Sequence, residues 1–290
     1  MTTAEAEADG TVCVAAIQMR GTTDAAQNGD EAERLIREAA RQGAVYVQTP
    51  EITNLVDRDG ARMRAAMQTE ADDPTLARLS ALARDLGIHI HIGSLALKEG
   101  DAAVNRGFLV GPDGSVLARY DKIHMFDVDL PDGESWRESR TYRPGEKAVA
   151  VALPFAGLGM TICYDVRFPV LYRALAVAGA DILTVPACFT KQTGEAHWHV
   201  LTRARAIETG SFLIAATQGG HHEDGRDSYG HAIVVDPWGK VLAEGDTDPC
   251  VVVADLDLTR VAAARRRIPA LANARTFEKP ETIVRAEANT

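Results

Sequence analysis

The sequence predicts a single layered α/β domain, on three observations. Short apolar, β-favouring runs alternate with amphipathic helical runs from Val12 to Arg267, and no Pro/Ser-rich linker or charge boundary divides them. Hydrophobic residues make up 46% of the chain against 25% charged, enough apolar material for a sizeable core. A length of 290 residues suits one large unit or two ordinary ones, so the alternation and the missing linker decide for one.

In chain order, VCVAAIQM from Val12 reads as a first strand, and the polar stretch after it leads to a helix around Ala25 to Ala40. AVYVQTPE is a second strand with Pro50 and Glu51 at its carboxyl end, the edge where α/β sheets carry ligand-binding residues. Asp73-Pro74 opens a helix through Leu86 that Gly87 ends, and GIHIHIGSLAL returns to strand. NRGFLVGPDGSVLARYDKIHM holds two strand runs around the turn Gly111-Pro112-Asp113-Gly114, a hairpin that puts Lys122 just past its second strand. From Phe126 to Lys147, about 20 residues rich in Asp, Gly, Glu, Arg and Pro exceed an ordinary connection and read as a functional loop walling a site.

AVAVALPFAG and LGMTICYD pair as strands, and Pro169 starts a helix to about Ala178, which leaves Cys163 at the strand-to-helix elbow. DILTVPACF is the next strand. After a polar loop, Ala196 to Thr209 is a helix with Trp198, Leu201, Arg205 and Glu208 at helical spacing. SFLIAATQ, the hairpin YGHAIVVDPWGKVLAE and VVVADLDL are the last β runs, followed by a basic helix from Thr259 to Arg267. The domain is expected over residues 11–275, between a disordered tail at 1–10 and a C-terminal tail at 276–290.

A net charge of −10 gives no compositional support to a phosphate-neutralising surface, so nucleic acid is not an expected partner. Cys13, Cys163, Cys188 and Cys250 form no C-x-x-C pair, which fits a reduced intracellular chain. The start, MTTAEAEADG, lacks the positive and apolar segments of a secretory signal, and no apolar run approaches the roughly 18 residues of a membrane span. A cytoplasmic protein without a membrane partner is expected.

Cys163 follows an apolar strand and precedes a helix start, where backbone N–H groups and the helix's positive end face the sulfur; surroundings of this kind lower a thiol pKa. Taken singly, such a cysteine is more often a small buried hydrophobe, and Glu51 or Lys122 a surface charge. Because Glu51 and Lys122 both stand at strand exits, the three can converge on one edge as nucleophile, base and cation.

The segments TPE (49–51), YDKIHMFDVD (120–129) and ICYDVRFP (162–169) resemble, in that order, the three signature blocks of the nitrilase superfamily. The resemblance runs on through ESRTYRPG, TGEAHWHVLTRARAIE and YGHAIVVDPWGKVLAE to RRRIPAL, covering nearly all of Val12 to Arg275. It implies an αββα sandwich, a Glu-Lys-Cys triad on Glu51, Lys122 and Cys163, and a second glutamate on Glu138. It also implies a dimer or higher even oligomer, no cofactor, no metal, and hydrolysis of a small-molecule amide through a thioester on Cys163. Glu51 is expected to move the proton, Lys122 and the Tyr164 N–H to stabilise the oxyanion, and Glu138 to hold Lys122 or the substrate amide.

Within the superfamily the C-terminal half is most similar to deaminated glutathione amidases and their ω-amidase relatives, which implies an α-keto amide bearing carboxylates. Hydrolases of N-carbamoyl amines or aliphatic amides, and an interaction protein without chemistry, are the competing readings. Arg167, Phe189, Thr190 and His197 are candidate substrate contacts beside Tyr164, although Arg167 could equally pair with Asp165. Three departures from the family pattern stand out: Cys188 in place of a small residue, Glu195 in place of proline close to the expected mouth, and Val170 in place of a glutamate. The histidine pairs His89/His91, His197/His199 and His221/His222 lack the third-ligand spacing of a zinc hydrolase.

Overall fold

The structure is a computed structural model that describes residues 10–131 and 133–282. Except for Gly10, the expected N-terminal tail lies outside the described residues, as do residues 283–290.

The first half runs β1 (Thr11–Met19), α1 (Ala25–Arg41), β2 (Tyr46–Gln48), α2 (Gly60–Ala66), β3 (Gln68–Thr69), α3 (Pro74–Leu86), β4 (His89–Glu99), β5 (Ala102–Val110) and β6 (Val116–Asp121). The middle adds β7 (Asp127–Asp129), β8 (Ser135–Arg137), β9 (Val149–Ala152), β10 (Gly157–Met160), α4 (Pro169–Val177), β11 (Ile182–Thr184) and α5 (Lys191–Thr209). The chain closes with β12 (Phe212–Ala215), β13 (Thr217–His221), β14 (Asp227–Tyr229), β15 (Ile233–Val235), β16 (Val241–Glu244), β17 (Cys250–Asp257) and α6 (Thr259–Arg267).

Alternation along β1 sets the layers. Val12, Val14 and Ala16 join the core shared with the second sheet, while Ala15, Ile17 and Met19 face the opposite way, under Leu35 and Ile36 of α1 and Leu79 of α3. The first sheet has the order β14-β13-β1-β2-β4-β5-β6, with β17 also on β1 and β3 on β4. The second has the order β16-β15-β12-β11-β10-β9 and carries α4 and α5. The sheets meet where β1 packs on β12, β6 on β9 and β17 on β15 and β16, giving a helix–sheet–sheet–helix sandwich. Local signals end the helices as read: Asp73 caps α3 by accepting from the Leu76 N–H at 2.9 Å, and Gly87 closes it at φ 67°.

Several expectations need correction. The loop from Phe126 to Lys147 is not structureless: β7 and β8 form a hairpin, followed by one 3-10 turn at Glu138–Arg140. Helix α5 begins at Lys191 rather than Ala196, after an extended Thr190, and Gly194 in its first turn lies so close to the Tyr229 side chain that a Cβ would clash at 2.2 Å. SFLIAATQ is two strands, because the chain leaves the second sheet after Ala215 and enters the first at Thr217. Helix α2 and strands β3 and β14, seven, two and three residues long, are too short to show a hydrophobic period.

Candidate active site

Glu51 is positioned by a close backbone approach. A Cβ on Gly93 would stand 2.1 Å from the Thr49 carbonyl oxygen and 2.5 Å from that of Pro50, so only glycine lets β4 lie against this segment. The pairing of β4 with β5 shifts register between Ile92 and Leu95, and at that irregularity Ser94 Oγ accepts from the Ile52 N–H at 2.8 Å. Ile52 itself has φ 48°, a strained turn that carries Glu51 inward to 4% exposure.

Lys122 leaves β6 with its backbone still laddered, its N–H donating to the Asn105 carbonyl at 3.0 Å. The side chain is 2% exposed. Its ammonium donates to Glu51 Oε1 at 2.8 Å and to Glu138 Oε1 and Oε2 at 2.9 and 2.8 Å. Glu138 opens the 3-10 turn after the β7–β8 hairpin, and its Oε2 also accepts from the Phe126 N–H at 2.7 Å. Asn105 Nδ2 donates to Glu51 Oε1 at 3.0 Å and to Glu138 Oε1 at 3.3 Å, joining the two carboxylates from a third strand.

Cys163 starts a 3-10 turn between β10 and α4 at φ 49°, an uncommon conformation for a non-glycine residue. Its N–H donates to the Pro186 carbonyl at 2.9 Å and its thiol stands beside the Glu51 carboxylate, near enough for each to shift the other's titration. The Cys188 N–H donates to Glu51 Oε2 at 2.8 Å and also faces the Cys163 sulfur. Asp165 pins the elbow: Oδ2 accepts from the Ile162 N–H at 2.9 Å and the Tyr120 hydroxyl at 2.7 Å, and Oδ1 from His124 Nδ1 at 2.6 Å.

Electrostatics set the resting protonation. Burial pushes the Cys163 thiol well above its usual range and the negative charge of Glu51 adds to it, while Lys122 and the Cys188 N–H oppose. The expected lowering of this thiol is therefore overturned, because burial and the Glu51 charge outweigh Lys122 and the Cys188 N–H. Burial also works to raise Glu51, but the Lys122 charge, its hydrogen bond and those from Cys163 and Cys188 prevail and hold the carboxyl below its ordinary value. Burial raises Glu138, helped by the charge on Glu51 and opposed by Lys122. Lys122 is held protonated: desolvation opposes the charge, and the two carboxylates more than offset it. The resting site is a neutral thiol against a carboxylate, with a cation shared between two acids.

Above this cluster lies a cavity of about 660 Å³ whose walls include Glu51, Asn105, Glu138, Cys188, Phe126 and Trp136. Among the five expected substrate contacts, Thr190 lines it. Tyr164, Arg167, Phe189 and His197, like Cys163 and Lys122 themselves, are not among its wall residues: the Arg167 guanidinium lies over the Tyr164 and Phe189 rings and donates to His197 Nδ1 at 3.3 Å. Arg167 does not pair with Asp165, whose oxygens are taken by Tyr120, His124 and Ile162. Glu195 is exposed and outside the cavity walls, and Val170 is 79% exposed at the start of α4.

Sequence reasoning missed Asn105, the Cys188 N–H, Trp136 and Arg226, all at the cavity. Counting outward from the Gly111–Gly114 turn would put Ala103 opposite Lys122; a register shift between Leu109 and Val110 brings Asn105 there instead. The histidine pairs divide. His91 is a core residue hydrogen-bonded to the Tyr46 hydroxyl at 2.9 Å, and burial lowers its pKa to about 3. His197 and His199 diverge on α5, and His221 is exposed while His222 is buried against the Gly21 carbonyl. Among the described residues, His199, His231 and Glu244 bring metal-type ligand atoms within 4.8 Å, but both imidazoles bond one Glu244 oxygen, at 2.6 and 2.8 Å, away from the cavity walls.

Comparison with known proteins gives the family. Residues 13–266 match the model of the carbon-nitrogen hydrolase family. The deaminated glutathione amidase of Synechocystis is 40% identical over 262 residues, covering 89% of this chain and 96% of that one. Human omega-amidase NIT2 is 34% identical, covering 88% and 92%. A solved amidase from Nesterenkonia, 29% identical with a TM-score of 0.74 over 88% of this chain and 98% of its own, is described with acrylamide added to its active site cysteine.

Proposed function

The chain belongs to the carbon-nitrogen hydrolase family, and from that premise we propose that it cleaves an amide by acyl transfer to Cys163, with Glu51 as proton carrier and Lys122 as oxyanion stabiliser. The observation that carries the assignment is the Glu51–Lys122–Glu138 cluster, closed by 2.8–2.9 Å contacts, with the Cys163 thiol on the same Glu51 carboxylate.

The reaction follows from the protonation states. Cys163 is a neutral thiol, so attack on the amide carbon proceeds as its proton passes to Glu51. That transfer turns a neutral thiol and a carboxylate into a sulfur-bound tetrahedral adduct and a carboxylic acid, and the negative charge moves to the amide oxygen. Lys122 and the N–H groups of Tyr164 and Cys188 meet that oxygen; one such donor is worth about 3 kcal/mol of barrier. Glu51 then gives its proton to the departing nitrogen, the amine leaves, and a thioester remains. Water attacks the thioester as Glu51 takes one of its protons; the C–S bond then breaks, Glu51 returns that proton to the sulfur, and the product acid leaves with the free thiol regenerated. Glu138 holds Lys122 charged and in place throughout.

The natural substrate on this reading is deaminated glutathione, an α-keto amide with carboxylates, in metabolite repair; α-ketoglutaramate is the second candidate. Similarity to the Synechocystis amidase over nearly the full length of both chains favours the first. The protein is read as cytoplasmic and as a dimer or higher even oligomer. No described helix is long and apolar enough to cross a membrane. A panel assay tests the substrate: amine or ammonia release from deaminated glutathione, α-ketoglutaramate, an N-carbamoyl amino acid and a simple aliphatic amide. Faster release from either of the last two would displace the α-keto amide reading.

A further inference from the structure

The cavity wall carries a cation, Arg226, that the reaction above does not use. Arg226 sits in the β13–β14 turn with its side chain 11% exposed, oriented by Asp224, whose Oδ2 accepts from Nε at 2.9 Å and whose Oδ1 accepts from the Arg226 N–H at 3.0 Å. A guanidinium has five N–H donors in a planar fork, and Asp224 takes one of them. Nη1 reaches the Cys188 sulfur at 3.9 Å, a weak acceptor, and among the described residues Nη2 has no oxygen partner. Cys188 in turn gives its N–H to Glu51, so one residue separates this guanidinium from the reacting cluster.

Trp136, on the hairpin that closes the cavity, adds a second donor. The Arg226 and Arg58 guanidinium carbons stand 5.1 and 5.0 Å from its ring centroid, and Arg58 is itself held by Glu134 at 2.8 Å. The indole Nε1–H is buried with no hydrogen-bond partner, and Trp136 lines the same cavity as Arg226. A buried N–H without an acceptor costs free energy that a bound acceptor returns. Two donors without acceptors, in neighbouring residues that line one cavity, suit a single anionic group with two oxygens.

We propose that Arg226 and the Trp136 indole N–H together anchor a carboxylate of the substrate, so that the enzyme selects amides carrying a negative charge on the acyl side. This rests on the amidase reading and names the residues that would give it specificity. Arg226 touches the substrate's remote end, and its effect is on selection rather than on the bond broken.

The experiment uses the full chain with two matched amides, one ending in a carboxylate and one in a neutral group of similar length. Arg226→Gln is expected to lower kcat/KM for the anionic amide about 100-fold more than for the neutral one, and Arg226→Lys to recover part of that difference. Trp136→Phe, which keeps the ring and deletes one donor, should lower the same ratio about 10-fold and keeps the test open if Arg226→Gln fails to fold. A readout independent of turnover is alkylation of Cys163 by iodoacetate against iodoacetamide, mapped by peptide mass spectrometry; the anionic reagent's relative rate should fall in both variants. If both ratios stay at their wild-type values in Arg226→Gln and Trp136→Phe, the anchor is wrong. If no amide is turned over yet the alkylation ratio falls, the anchor stands and the amidase reading fails.

Discussion

Glu51 and Asp165 are both buried carboxylates within a few residues of a strand exit, and they do opposite jobs. Asp165 is fully enclosed and accepts from the Tyr120 hydroxyl, the Ile162 N–H and His124, groups that fix geometry. By tying the segment after β6 to the elbow before α4, it holds Lys122 and Cys163 in register. Glu51 accepts from an ammonium, an amide and a backbone N–H, and in addition faces a thiol with a proton to give. Burial of charge therefore does not mark the reactive group; the identity of the donors around it does.

The largest expected effect separates the two regions outright. Cys163→Ala should cost at least about 10⁴-fold in amide turnover, roughly 5.5 kcal/mol of barrier, with little change in the urea midpoint. Near-normal turnover in that variant would remove the contrast altogether. Lys122→Met strips the cation from two buried acids, and denaturant unfolding should show a loss of about 4 kcal/mol, along with lost activity. Unaltered stability would mean that the two acids are not both ionised beside Lys122.

On the other side of the comparison, Asp165→Ala leaves the Tyr120 hydroxyl and the Ile162 N–H unpaired. It should lower stability by about 3 kcal/mol while Cys163 still forms a thioester, detectable by mass spectrometry of the trapped acyl-enzyme. Complete loss of acylation in folded protein would give Asp165 a chemical role.

The smallest effect concerns a buried polar group with no charge. His91 has a folded pKa of about 3 against 6.5 in the unfolded chain. As pH falls below 6.5, the unfolded chain therefore takes up a proton that the folded chain refuses. Stability should be about 2 kcal/mol lower at pH 5 than at pH 7 from this group, and His91→Gln should flatten that slope. An identical slope in the variant would assign the acid sensitivity elsewhere.

Legibility in the sequence followed the range of the interaction that fixed each feature. Asp73-Pro74 with Gly87 wrote both ends of α3, and the Gly111–Gly114 turn placed Lys122, because caps and tight turns are local. The approach of Glu51, Lys122 and Cys163 was legible as a set of strand exits and as a family pattern. The split of SFLIAATQ between two sheets was not, since an unbroken apolar run is equally consistent with either partner. Nor was the Cys163 thiol: its turn suggested a lowered pKa, and burial plus Glu51 reverses the sign.

By itself the sequence determined the alternation of strands and helices, the acidic character of the chain, and which residue types stand at the ends of which strands. Those follow from periodicity, caps and composition, all readable within a few residues. Only the tertiary structure decided that Asn105 joins Glu51 to Glu138, that Cys188 turns its N–H toward both Glu51 and the Cys163 sulfur, and that Arg226 and Trp136 line one cavity. Each of those depends on residues tens to more than a hundred positions apart meeting in a water-poor space, where donors and charges acquire strengths that no local pattern carries.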